Sequence, residues 1–208
     1  AEQNVDMDGL SPSEYLNSIR EQLSKFHNYL RESKDNFVRE QLNELDKSPF
    51  DMENIHLGCG DSCPEGWTNI DMIGGDMRLN LCWNLPFDDH SVQYVYSAHT
   101  LEHLDYHTSA PRLIREISRI LKPGGILRLA VPDLGAYTEA YVKNNSEFFK
   151  QFDRARPEFG FDAGYRTTMS KVMMMAGSAS KSGMLFEHKM GYDFNTLSEL
   201  FILAGFNK

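Results

Sequence analysis

Cysteine is scarce in this chain. Three occur in 208 residues, Cys59, Cys63 and Cys82. An odd, small number argues against a disulfide framework and for a reducing compartment. The three could ligate a metal; the plainer reading is small residues in loops and core. Long apolar runs are missing too. None approaches the roughly 20 residues that cross a bilayer, and no signal-peptide apolar core stands near the start, so no membrane partner is expected. The first residue is Ala rather than Met, which reads as trimming, and a cytoplasmic location follows by default. Basic charge is in deficit: 21 Lys and Arg against 30 Asp and Glu give a formal charge of −9. The bases are scattered, so a phosphate backbone finds no cluster to grip, and nucleic acid is disfavoured as a partner. No internal repeat or low-complexity tract is visible. What is present is core material, 41% hydrophobic and 12% aromatic residues, enough for one domain and an appendage.

The appendage comes first. Ser11-Pro12-Ser13-Glu14 is a helix start, with a Ser cap and a Glu three residues later. Tyr15, Leu16, Ile19, Leu23, Phe26 and Leu30 recur at helical spacing. Ser33–Asn36 interrupts the pattern, and Phe37, Val38, Leu42 and Leu45 extend it to about residue 46. Residues 1–50 are thus expected to be a helical arm that packs on the rest, covers a pocket, or joins two copies in a homodimer.

From Asn54 the texture changes. Ile55–Leu57, Thr68–Ile70, Val92–Tyr96 and Ile126–Val131 are strand candidates, and Ser109–Leu121 is an amphipathic helix stopped by Lys122-Pro123-Gly124-Gly125. Strands alternating with helices predict an α/β fold over residues 51–208, a doubly wound, mostly parallel sheet with helices on both faces. Ligands in such sheets sit beyond the carboxyl ends of the strands, here marked by Gly58, Asp71, Ser97 and Asp133. Residues 134–192 fit the alternation poorly and read as a lid-like insert. Within it Ala136–Phe149 and Arg166–Ala176 look helical, Met173–Met175 reads better as helix core than as an adaptable pocket, and Ser178–Gly183 reads as a polar loop. Asn195 is expected to cap a last helix, Thr196–Ala204, ended by Gly205.

The stretch HLGCGDSCPEGWTNID at 56–71 carries the chemistry. Gly58-Cys59-Gly60 lets backbone approach a ligand closely, because a Cβ would intrude. A dinucleotide fingerprint needs a third Gly where Cys63 stands, and a P-loop needs Gly-Lys-Ser/Thr; both are lacking. Ten residues separate Gly60 from Asp71, with Pro64 and Gly66 among them, too few for a crossover helix whose N-terminus would hold a pyrophosphate. An adenosine ligand without phosphate suits such a turn better. Asp71, at a strand end, is an acceptor-only group suited to two ribose hydroxyls, and equally an ordinary surface aspartate.

The ordered set of HLGCGDSCPEGWTNID, LNLCWNLPFDDHSVQYVYS, HTLEHL and LIREISRILKPGGILRLAVPDL resembles class I S-adenosylmethionine-dependent methyltransferases of the type 11 kind, with LSELFILAGF similar to a later helix of that fold. Together these cover about half the chain. The short segment from GCG to GW-x-N-x-D looks like bacterial methyltransferases linked to glycan or small-molecule pathways. The resemblance implies a Rossmann-like fold and S-adenosyl-L-methionine as cofactor, with S-adenosyl-L-homocysteine as product. It places Gly58, Cys59 and Gly60 at the amino-acid end of the cofactor, Asp71 on the ribose, Met72 against the adenine, and Asn80 and Leu81 beside it. Asn80 departs from the usual acidic residue, although an amide still pairs with the adenine edge. Ser97 falls near the transferred methyl. The family closes its sheet with an antiparallel strand pair after the last helix, and the chain stops at Lys208, before that pair.

His99, Glu102 and His103 follow Ser97, at spacings that share one face of a helix starting by His99. Three readings stay open: hydrogen bonding to neighbouring loops, a general base at His99 or His103, and a metal site. For the last, H-T-L-E-H is similar to the E-x-x-E-H run of metal-assisted O-methyltransferases, including those of ubiquinone biosynthesis and small-RNA ends. That similarity implies ligation by His99, Glu102 and His103, with His188 as the downstream candidate. The functional expectation is methyl transfer to O or N of a small metabolite or glycan precursor. The alternatives are a catalytically inactive cofactor-binding module acting as a partner subunit, and a nicotinamide-dependent oxidoreductase, which conflicts with the absent third glycine.

Overall fold

The structure is a computed structural model that describes residues 11–45, 53–155, 166–177 and 187–206. It divides into two units, Ala1–Ser48 and Pro49–Lys208. In the first, helix α1 spans Pro12–Leu45. Ser11 opens it with the reciprocal cap expected: its amide donates to Glu14 Oε2 at 2.9 Å, and the Glu14 amide donates to Ser11 Oγ at 3.4 Å. The expected interruption at Ser33–Asn36 does not occur. No Gly or Pro lies between residues 13 and 45, and the Asn36 side chain accepts from Arg39 at 3.2 Å along the helix face instead of competing for the backbone.

The second unit is built on a five-stranded parallel sheet of order β3-β2-β1-β4-β5. Its strands are β1 (Asn54–Leu57), β2 (Thr68–Asp71), β3 (Met77–Arg78), β4 (Val92–Ala98) and β5 (Leu121–Ala130). This is the α/β, Rossmann-like fold. β1 lies at the centre, so Ile55 and Leu57 are fully buried, as a strand paired on both edges must be. β3 is too short for periodicity to reveal; it forms because β2 offers an edge, with Ile70 opposite Met77 and Asp71 opposite Arg78. Helix α2 (Ser109–Ile120) buries Leu113, Ile114, Ile117 and Ile120. Lys122-Pro123-Gly124-Gly125 was expected between helix and strand. It lies inside β5, where the pairing with β4 shifts register between Val92 and Tyr94. β5 ends the strand order, and an edge strand tolerates a proline that cannot donate.

Glu116 and Arg119 of α2 anchor the segment before β4. The Glu116 carboxylate accepts from Leu85 N–H at 2.8 Å and from Arg119 at 3.1 and 2.8 Å. Arg119 also donates to the carbonyls of Leu85 and Phe87, both at 2.8 Å. The hydrogen bonds from Arg119, followed by that from Leu85, hold the Glu116 carboxyl below its ordinary 4.5. A depressed native pKa gives stability that is present above about 4.5 and lost as pH falls through the lowered value. Glu116→Gln is therefore expected to cost about 1–3 kcal/mol at pH 7 and to flatten the acid side of the stability curve, read as urea midpoints from pH 7 down to pH 3.

After β5 the single helix expected over 136–149 is two, α3 (Leu134–Val142) and α4 (Ser146–Ala155), broken where Asn144 takes φ +50. Asp133 caps α3 by accepting from Ala136 N–H at 3.2 Å. Helix α5 (Thr168–Ala176) buries Met174 and Met175 against Leu134 and Tyr137, the core role rather than a pocket, while Met173 is exposed. Lys171, buried on α5, donates to Asp153 of α4 at 2.6 Å. Asp153→Ala would strand that ammonium and is expected to cost about 3–5 kcal/mol, whereas Lys171→Met is expected to be far milder, by thermal denaturation. Ser178–Gly183 lies outside the described residues. Helix α6 (Phe194–Leu203) starts two residues earlier than expected. Asp193, not Asn195, is its cap, accepting from Thr196 N–H at 2.8 Å. None of the described helices is long and apolar enough to cross a membrane.

Candidate active site

The carboxyl ends of β1 and β2 meet in one turn. Gly58 takes φ +70 and Gly60 φ +51, values an L side chain rarely adopts. The amides of Gly58 and Cys59 donate back to the Ile70 carbonyl at 2.8 and 3.2 Å, folding the turn over β2. Gly60 N–H then donates to Asp71 Oδ2 at 2.9 Å, and Ile73 N–H donates to Asp71 Oδ1 at 3.1 Å. Asp71 therefore faces the glycine turn across the ends of two strands.

The two glycines do different jobs. A Cβ at Gly58 would lie 2.0 Å from Thr100 Oγ1 and 2.6 Å from its Cγ2, so this glycine admits protein. A Cβ at Gly60 would meet nothing within 4 Å, so this glycine borders open space. Cys59, between them, is buried; its thiol is pushed up to about 12, first by burial and then by Cys63, whose sulfur is 3.8 Å away. Among the described residues the three cysteines form no metal-holding group.

β3 brings the next candidates beside Asp71, because Leu79 N–H donates to the Asp71 carbonyl at 2.9 Å. Leu81 is buried as an apolar wall, and Met72 is exposed. Asn80 is partly committed: its side-chain oxygen accepts from Cys82 N–H at 2.9 Å, leaving the amide group as donor. Ser97 is buried at the end of β4 and donates to the Leu57 carbonyl at 3.0 Å, so its hydroxyl ties β4 to β1. Thr100 was not singled out in the sequence. Its hydroxyl reaches the carbonyls of Leu57, Gly58 and Ala98 at 3.4, 3.5 and 3.1 Å and backs the glycine turn. Only a residue 42 positions from Gly58 in the chain could supply that contact, and no local pattern announces it.

The candidates after β4 are not on an α-helix. His99 takes φ +54, with its amide bonded to the Ala130 carbonyl at 3.0 Å, and Leu101–His103 is a single 3-10 turn. The one-face arrangement of His99, Glu102 and His103 is therefore replaced by another. His99 lies at the surface with Nδ1 3.4 Å from Glu102 Oε1, although the angle is not that of a hydrogen bond. Glu102 is 1% exposed, and neither carboxylate oxygen has a hydrogen-bond partner. Burial pushes its carboxyl up to about 7. His188 reaches the same place from the far end of the chain, its ring 4.9 Å from that of His103. Burial lowers the pKa of both histidines, keeping them neutral.

Residues 55–129, from β1 to the end of β5, match the family model described as a methyltransferase domain. The chain belongs to the class I S-adenosylmethionine-dependent methyltransferases. Demethylmenaquinone methyltransferases of two Staphylococcus epidermidis strains are 32% identical to this methyltransferase over 143 residues, or 67% of the chain. The chain spans 48% of the length of those relatives. A SAM-dependent methyltransferase of Thermotoga maritima, described as a possible histamine N-methyltransferase, aligns at 16% identity and TM-score 0.48, over 88% of this chain and 80% of that one.

Proposed function

We propose that this methyltransferase domain binds S-adenosyl-L-methionine in the Gly58–Gly60 turn and transfers its methyl group to oxygen or nitrogen of a small acceptor, with S-adenosyl-L-homocysteine as product. The observation that carries this reading is the pairing of Gly60 N–H with Asp71 Oδ2 at 2.9 Å beside open space. Backbone and one carboxylate meet there with no helix N-terminus to attract a pyrophosphate, since the residues between Gly60 and β2 form turns. In this reading the turn 58–60 lines the amino-acid end, Asp71 holds the ribose hydroxyls, and Met72, Asn80 and Leu81 flank the adenine. Ser97 fixes the strand end near the methyl.

S-adenosylmethionine, when bound, supplies a methyl group already activated by its sulfonium. The chain's residues then have to align the acceptor, exclude water and accept a proton. His99 is the base we assign. It lies at the surface just beyond β4, with its Nδ1 3.4 Å from Glu102 Oε1, and Glu102 in its ionised form stabilises the protonated ring once the proton has moved. A recess of about 500 Å³ beyond the end of β5, lined by Leu134, Thr138, Val142, Asp193 and Thr196 among others, offers an apolar wall to an acceptor.

Calorimetry with S-adenosylmethionine, S-adenosylhomocysteine and NAD, followed by a product-release assay over an acceptor panel, tests the reading. Binding of the two sulfur ligands and not of NAD is expected. His99→Gln is expected to lower kcat by about 10²–10⁴-fold with cofactor affinity unchanged; binding of NAD alone would overturn the assignment. The demethylmenaquinone relatives favour a second reading, a ring carbon of a quinone as acceptor. A demethylated quinol in the panel decides it; replacing a ring hydrogen by methyl also releases a proton, so His99 keeps its role as acceptor of that proton.

A further inference from the structure

We infer that Glu102, His103 and His188 form a binding site for one first-row divalent cation, zinc foremost. Their ligand atoms lie within 4.8 Å of one another. The set joins a turn after β4 to a segment beyond α5, 85 positions away in sequence, so local chain geometry alone does not bring it about. Three observations bear on it independently. First, Glu102 is 1% exposed and both of its carboxylate oxygens are without a hydrogen-bond partner. A buried carboxylate that accepts no hydrogen bond is costly, and a cation is a direct remedy. Second, His103 Nδ1 is also buried and unpartnered, while its ring is hydrogen-bonded to the Glu187 backbone. Third, His188 Nδ1 bonds the Met175 carbonyl at 3.2 Å, which fixes that nitrogen as donor and leaves Nε2 with its lone pair. Each histidine thus spends one nitrogen on backbone and keeps the other available, the arrangement that orients and holds metal-ligating imidazoles. The Lys189 amide, bonded to the Glu102 carbonyl at 2.6 Å, pins the His188 segment against the turn.

Two imidazoles and a carboxylate suit zinc and its neighbours better than calcium or magnesium. Zinc at about 2.0–2.2 Å from each ligand would draw the three atoms to roughly 3.4 Å apart. Three protein ligands leave a position open for water or for an acceptor's oxygen. His99 is outside the set, although its exposed ring brings Nδ1 to 3.4 Å from Glu102 Oε1. Any service of the ion to methyl transfer rests on the function proposed above; its binding does not.

The test uses the whole chain, stripped with a chelator and titrated with zinc against a chromophoric competitor, then with cobalt for its visible spectrum. One tightly bound zinc is expected, with a cobalt spectrum of nitrogen and oxygen ligands. Glu102→Gln and His188→Ala are each expected to weaken zinc at least 100-fold, while a Cys59→Ser, Cys63→Ser double variant leaves it unchanged. Absence of stoichiometric binding to the unsubstituted protein would overturn the site. So would a thiolate charge-transfer band that vanishes with the cysteines. Because the unsubstituted protein carries the test, misfolding of a variant cannot rescue the idea. S-adenosylmethionine binding measured on the same stripped protein separates the two claims: cofactor without metal sinks the ion alone, and metal without cofactor sinks the methyl-transfer reading alone.

Discussion

Asp71→Ala is expected to weaken S-adenosylmethionine binding by about 100-fold or more. Hydrogen bonds to a charged acceptor contribute about 1.5–3 kcal/mol each, and a ribose offers two hydroxyls to one carboxylate, so a loss of about 3 kcal/mol is the lower bound. The same carboxylate also accepts from Gly60 and Ile73 N–H. Its removal therefore loosens the turn as well as the ligand, and Asp71→Asn, which keeps one acceptor, should fall between the two. Calorimetry on the variants and the parent decides the matter, with thermal denaturation as a control for folding. Affinity within threefold of the parent for the alanine variant would show that the carboxylate holds no ribose.

The second large effect separates the two glycines. Gly58→Ala pushes a methyl to 2.0 Å from Thr100 Oγ1 at φ +70. Thr100 is itself hydrogen-bonded to β1 and β4, so it yields only by breaking those bonds. Strain and clash together are expected to destabilise the domain by about 2–5 kcal/mol. Gly60→Ala meets no protein atom within 4 Å at φ +51, so only conformational strain opposes it, about 1–2 kcal/mol. Its methyl would project into the space assigned to the cofactor, and S-adenosylmethionine affinity should fall at least tenfold while most of the stability remains. Comparing urea midpoints with cofactor titrations for both variants checks this. Equal behaviour at the two positions would mean that the turn does not distinguish a protein-facing from a ligand-facing glycine.

Much of the architecture was legible because its signals are local. The apolar spacing of α2 and the Ser11–Glu14 cap of α1 appear in the structure where the periodicity put them. The errors share a cause. α1 runs through Ser33–Asn36 because weak helix formers inside a long helix cost little when nothing breaks the backbone ladder. The break between α3 and α4, the cap at Asp193 and the inclusion of Lys122–Gly125 in β5 depend on backbone angles and on strand pairing. Composition does not display either.

The sequence by itself determined the alternation of strands and helices and the placing of a glycine turn and an aspartate, eleven positions apart, at two strand ends. Both follow from short-range sterics and the period of buried side chains. Tertiary structure alone decided that Thr100 backs Gly58, that Ser97 clamps β1, and that His188 rather than His99 completes the group around Glu102. Those contacts join residues 40 to 86 positions apart, and distance along a chain carries no information about meeting in space until the sheet has ordered its strands.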